Sequence, residues 1–112
     1  RGYAFSEGYL VLHSPDDSPP APPGMPDDAR IVTVTQALGT DRRDAPVPHV
    51  SDVAAAPGTV LLACSDGLTD FASLDDLEQL LAGADVNAHR LCGAALAGGG
   101  GDNVTAALIT IG

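Results

Sequence analysis

Apolar and polar positions along the chain predict strands at both ends and a pair of helices before the last strand. Residues 3–5 and 8–13 are short, apolar and β-prone, and Ser6-Glu7-Gly8 between them reads as a turn, so the two segments predict a hairpin. Residues 14–28 then carry Pro15, Pro19, Pro20, Pro22, Pro23 and Pro26, which remove backbone donors and forbid helix, so this stretch is expected to be an extended loop. An interdomain linker is the competing reading, but the flanking segments are too short to be domains of their own. Residues 31–38 alternate as a strand does and run into a turn at Gly39. Residues 41–48 read as a connection and residues 50–53 as an edge strand. Residues 59–64 form an unbroken apolar run of strand length, expected to be central and buried. It stops at Ser65-Asp66-Gly67. Ser73 is the expected N-cap of the first helix, with Asp75 and Asp76 in its opening turn, Leu74, Leu77, Leu80 and Leu81 on one face, and Gly83 as its stop. Asp85 is the expected cap of the second helix, whose stripe is Ala88, Leu91, Cys92, Ala95 and Leu96 and whose end is Gly98. Residues 104–111 are apolar on both faces, as in a buried strand.

Composition narrows the function classes. Apolar residues make up 45% of the 112, so a packed core is expected, but aromatics are only 4% and Trp is absent, so that core rests on Leu, Val, Ile and Ala. The formal charge is −10, and all five basic residues are Arg. Only Arg42-Arg43 cluster, and Asp41 and Asp44 flank them, so no nucleic-acid partner is expected. No run approaches the roughly 20 apolar residues of a membrane helix. Cys64 and Cys92 form no CxxC motif; one disulfide between them is an open alternative, and two buried free thiols in a reducing, cytoplasmic setting are the favoured reading. The chain begins at Arg1 rather than at methionine, which reads as part of a longer protein.

Two acids stand apart from the solvated ones. Asp66 follows the apolar strand 59–64 and Asp102 precedes the strand 103–111. If those strands are antiparallel neighbours, both carboxylates reach the same rim of the sheet. Paired carboxylates repel unless a cation joins them, and an all-oxygen pair suits Mn²⁺ or Mg²⁺. Gly67 and the run Gly98 to Gly101 would let backbone come close to an ion or water. Taken singly, each acid is better read as an ordinary cap or turn residue; the pair at matching strand ends is what points to metal.

Three blocks occur in order: Thr35-Gln36-Ala37-Leu38-Gly39, then Pro57-Gly58-Thr59-Val60-Leu61-Leu62-Ala63-Cys64-Ser65-Asp66-Gly67-Leu68-Thr69-Asp70, then Gly100-Gly101-Asp102-Asn103-Val104-Thr105. Together they resemble the bacterial metal-dependent serine/threonine protein phosphatases of the PPM type, also called type 2C. The resemblance spans the whole chain, loosely before Ile31, and covers the C-terminal part of that domain. It implies an α+β fold, a β-sandwich of antiparallel sheets flanked by helices, of which residues 1–112 form a partial domain. It implies Asp66 and Asp102 as metal ligands, with Ser65, Gly67 and Asn103 shaping their loops. The implied chemistry is hydrolysis of phosphoserine and phosphothreonine in proteins by a metal-activated water at a two-metal centre. Phosphoproteins would be the substrates and a cognate Ser/Thr kinase the opposing partner. Residues 14–30 lie where the family carries a flap. The family's bridging Asp-Gly pair, a further acid and a basic phosphate contact have no match here, and Arg1-Gly2-Tyr3 looks like the strand that follows a Gly-Asp-Ser-like element. The 112 residues alone are therefore expected to be inactive.

Rival readings remain. A catalytically incomplete phosphatase-like module would bind or regulate a partner, and a self-sufficient acidic domain would bind a cation unaided. Gly98 to Asp102 has no periodicity of a calcium repeat and no Gly-Lys-Ser/Thr of a phosphate loop. Asn103-Val104-Thr105 is a glycosylation sequon by chance, opening a core strand; Asn103 is expected to hold the Asp102 loop through its side chain. His13, His49 and His89 are scattered and receive no role. Cys64 lacks a partner histidine and reads as a buried strand residue.

Overall fold

The computed structural model describes residues 1–19, 22–25, 34–39 and 45–112. Two compact units are present, one of Arg1–Ser14 with Ser51–Gly112 and one of Pro15–Val50.

In the first unit, the hairpin expected at the start of the chain forms β1 (Gly2–Ser6) and β2 (Tyr9–Leu12). Glu7 at φ 53° and Gly8 at φ 88° place both turn residues in the left-handed region, whose twist matches that of the flanking strands. The apolar run after Pro57-Gly58 is β3 (Val60–Cys64), and the last strand is β4 (Ala106–Thr110). All pairings are antiparallel, in the order β2-β1-β3-β4. β3 is central, as its apolar run predicts. β4 is an edge strand, and none of its residues is fully buried, contrary to the expectation of a buried strand; Ala106 and Leu108 pack against the core only in part. Its two faces are both apolar, but only one has helices over it.

Three helices connect β3 to β4: α1 (Asp66–Thr69), α2 (Leu74–Ala82) and α3 (Ala88–Ala97). Tyr3, Phe5, Leu10, Val60 and Leu62 from one sheet face meet Leu68, Ala72, Leu77, Leu81, Leu91 and Ala95 in a single core. Period-two alternation supplies the sheet side of this core, and the i, i+4 pairs Leu77–Leu81 and Leu91–Ala95 supply the helix side. Leu74 and Leu96, expected on the buried stripes, are exposed because they lie at the first and last turns, beyond the reach of the sheet. Ser73 caps α2 by accepting from the Asp76 N–H at 3.1 Å. α3 is capped by Asn87, which accepts from the Arg90 N–H at 3.0 Å, and not by Asp85. Asp85 instead pairs with the Arg90 guanidinium at 3.1 Å. Glu78 of α2 accepts from the outward N–H of Leu10 at 2.8 Å, which satisfies a donor on the β2 edge.

The unit Pro15–Val50 has no helix or strand among its described residues. Of the strand expected at 31–38, residues 31–33 lie outside the described residues. Residues 34–38 are irregular, with the anticipated turn at Leu38-Gly39. The edge strand expected at 50–53 does not form; these residues have no ladder partner. Isolated hydrogen bonds, most of them involving side chains, join its described residues instead. The Thr35 N–H donates to the Asp17 carbonyl at 2.8 Å, the Gln36 amide donates to Asp17 Oδ1 at 2.9 Å, and the Val47 N–H donates to Gln36 Oε1 at 2.6 Å.

Candidate functional site

The last residue pair of the β3–β4 ladder is Cys64↔Ala106. Past it the two chains stay together. The Ser65 N–H donates to the Thr105 carbonyl at 3.0 Å, and the Thr105 N–H donates to Ser65 Oγ at 3.0 Å. The same hydroxyl donates to the Asn103 carbonyl at 3.4 Å. Ser65 is the N-cap of α1, yet its side chain makes no cap bond to that helix, because it is spent on residues 103–105. One residue on, a Cβ built on Gly67 would lie 2.0 Å from the Asn103 carbonyl oxygen and 2.9 Å from its carbon. Only glycine permits that approach of backbone to backbone.

Asp66 therefore opens α1 between two residues in contact with 103–105, and Asp102 immediately precedes that segment. Both aspartates are exposed. Asp102 Oδ1 accepts from the N–H of Asn103 at 2.7 Å, which folds the loop locally and leaves the other oxygen directed elsewhere. The contacts Asn103 makes with this turn run through its backbone N–H and carbonyl, where a side-chain hold is the expectation from sequence. Among the described residues, no group of three or more His, Cys, Asp or Glu side chains is gathered closely enough to hold a metal ion.

The glycine run has a packing origin at two positions. A Cβ on Gly98 would sit 1.7 Å from the Phe71 carbonyl oxygen, and one on Gly101 would sit 2.5 Å from Phe71 Cζ. The loop after α3 closes over Phe71, with Gly99 at φ 126° and Gly100 at φ 55° making the reversal. No ion is needed to account for Gly98 and Gly101. Cys64 and Cys92 are free thiols. Burial pushes the Cys64 thiol up, and the positive charge of Arg1 only partly opposes it. A half-buried thiol held protonated is a poor nucleophile.

Asp17 and His49, to which the sequence assigns no role, form a second polar cluster with Gln36. His49 Nε2 lies 2.6 Å from Asp17 Oδ1, in the wall of a cavity of about 540 Å³ that Gln36, Leu38 and Val47 also line. Its polar groups are engaged with one another, so the cluster reads as the hydrogen-bonded centre of an irregular unit. Proline-rich spacing carries no pattern from which these pairings could be foreseen.

No family model matches the chain, and no curated protein matches it in sequence. Solved structures do. The S. agalactiae serine/threonine phosphatase superposes with a TM-score of 0.83 at 23% identity, covering 100% of this chain and 50% of that one. The Mycobacterium tuberculosis serine/threonine phosphatase PstP/Ppp superposes with a TM-score of 0.74 at 29% identity, over 99% of this chain and 51% of that one. The fold is that of the PPM-type bacterial serine/threonine phosphatases. PppA of Pseudomonas aeruginosa, a key regulatory component of T6SS, also shares this phosphatase fold, with a TM-score of 0.75 at 27% identity over 96% of this chain and 46% of that one. The chain spans about half the length of each of these phosphatases. The phosphatase fold accounts for the α+β arrangement, of which these residues build one antiparallel sheet and its covering helices. No described helix is long and apolar enough to cross a membrane.

Proposed function

We propose that this protein hydrolyses phosphoserine and phosphothreonine in proteins with the help of Mn²⁺ or Mg²⁺, and that Asp66 and Asp102 each give a carboxylate oxygen to the metal centre. One observation carries the reading: residues 65–67 dock on residues 103–105 beyond the last β3–β4 pair, which supports placing both acids on one rim of the sheet. The donor set fits a hard divalent cation, since both side chains are solvent-facing carboxylates. Two donors do not complete such a site, so the remaining ligands belong to residues outside these 112. Ions bound there supply Lewis acidity toward a phosphoryl oxygen and lower the pKa of water.

The chain's own residues do the holding. Ser65 ties the Asp66 turn to Thr105 and Asn103. Gly67 lets that turn sit against Asn103. The Asn103 N–H fixes one Asp102 oxygen, so the carboxylate enters the site with its orientation set. In this reading residues 14–30 correspond in sequence to the segment that forms a flap in such phosphatases. The substrates are phosphoproteins, a Ser/Thr kinase is the opposing partner, and the setting is the cytoplasm.

The test is hydrolysis of a phosphothreonine peptide by the intact polypeptide that carries these residues. Asp66→Asn and Asp102→Asn are each expected to lower kcat/KM by roughly 100-fold or more, since loss of a mere partner of a ligand already costs 10- to 100-fold. Activity that survives both substitutions, or that EDTA leaves untouched, sinks the reading.

A further inference from the structure

Arg1 touches the Asp66 turn at both of its ends. Its main-chain nitrogen donates to the Cys64 carbonyl at 2.7 Å, and the Cys64 N–H donates to the Arg1 carbonyl at 2.9 Å. This reciprocal pair extends the β1–β3 ladder one step past Gly2↔Ala63, to the residue just before Ser65-Asp66. Alternation along β1 puts the Arg1 side chain on the same face as Tyr3, the face that the helices cover. From there Arg1 Nη1 donates to Thr69 Oγ1 at 2.9 Å, and Thr69 is the last residue of α1. The segment from Cys64 to Thr69, with Asp66 inside it, is thus closed by a single residue. Both Arg1 and Thr69 are half-buried, where a hydrogen bond from a charged donor is stronger than one in open water.

α1 has only four residues and no side-chain cap of its own. A single turn of helix is not stable by itself, since its nucleation is unfavourable. Its position must come from outside contacts. On the β4 side Ser65 and Gly67 supply them. On the β1 side Arg1 does. We infer that Arg1, acting through Thr69, is a positioning residue for Asp66: it holds the α1 turn closed so that the Asp66 carboxylate keeps one direction. This inference rests on the metal reading of Asp66.

The test uses calorimetric titration with Mn²⁺ on the intact polypeptide, beside thermal melting of the metal-free protein. Arg1→Met keeps the apolar stem and the backbone pair and removes the donors. Thr69→Val removes only the hydroxyl, and Thr69→Ser keeps it. Arg1→Met and Thr69→Val are each expected to weaken Mn²⁺ binding by about 10-fold, the size seen when the partner of a metal ligand is lost. Thr69→Ser should bind as wild type.

A contact of purely structural value would lower the melting temperature and leave Mn²⁺ affinity unchanged, and that result overturns the inference. So does a Thr69→Ser variant as weak as Thr69→Val. Should Arg1→Met fail to fold, Thr69→Val carries the test. Asp66→Asn separates the two ways of being wrong. If it weakens Mn²⁺ binding while Arg1→Met and Thr69→Val do not, the positioning role falls and the metal reading stands. If Asp66→Asn binds Mn²⁺ as wild type, the metal reading falls and takes the positioning role with it.

Discussion

Gly67 and Gly93 both lie in helices, and alanine should act on them in opposite directions. At Gly67 the new methyl would meet the Asn103 backbone at 2.0 Å, so the Asp66 turn or the Asp102 loop must move. Gly67→Ala is expected to destabilise by roughly 1–3 kcal/mol, as other forced overpacking does. At Gly93, inside α3, nothing lies within 4 Å of the new methyl. Gly93→Ala should stabilise by about 0.5–1 kcal/mol through lower unfolded-state entropy. Urea denaturation of the two variants checks both signs. Asp17 gives a pH prediction of its own. Its hydrogen bonds from His49 and then Gln36 hold its pKa below the ordinary 3.8, against a small opposing effect of burial. A lowered carboxylate pKa means stability that is present above 3.8 and is lost as pH falls below it. An NMR titration should find the Asp17 midpoint below 3.8, and His49→Ala should move it upward. Of these residues, Gly67 was visible in the sequence because it follows Asp66. The Asp17–His49 pair was not, since nothing in a proline-rich segment tells which distant side chains will meet.

Among the elements, the helix pair was the most legible. The Ser73 cap, the Asp75 and Asp76 first turn and the Gly83 stop all stand in the structure. Ser73→Ala and Asn87→Ala should each cost about 1 kcal/mol in thermal or urea unfolding. Asp85→Ala should stay within about 0.5 kcal/mol, because its partner Arg90 is solvent-exposed and the pair is a surface one. That contrast tests the corrected cap. Two acceptors stood close together ahead of α3, and only the backbone path decided which of them faced the free N–H groups. α1 went unforeseen for a related reason. Four residues are too few for a hydrophobic period, and the contacts that hold the turn come from Arg1, Asn103 and Thr105. In the hairpin, Glu7 occupies a left-handed position that asparagine fills more easily. Glu7→Asn should stabilise the unit by a few tenths to about 1 kcal/mol.

For the whole molecule, the sheet has one covered face and one open one. The helices bury Phe5, Leu10, Val60 and Leu62, while Tyr9, Val11 and Ile109 on the other face are 69%, 53% and 61% exposed. An apolar sheet face of that kind is a surface meant to be covered. The phosphatases that share this fold are about twice as long as this chain. The 112 residues produced alone should therefore bind a hydrophobic dye such as ANS, and Val11→Thr with Ile109→Thr should reduce that binding. Dye binding equal to that of an ordinary folded domain would mean that this face closes on itself in solution.

The hairpin, the central strand β3, the helix pair, the Ser73 cap and the nomination of Asp66 and Asp102 were set by local properties: periodicity, turn chemistry and the abrupt end of an apolar run. Such properties act within a few residues and can be seen along the chain. The edge position of β4, the short helix α1, the close approach of Gly98 and Gly101 to Phe71 and of Gly67 to Asn103, and the closure of the Asp66 turn by Arg1 were decided only in three dimensions. Each depends on a partner tens of residues away, and a periodic pattern shows that a surface must be buried without saying which surface will bury it.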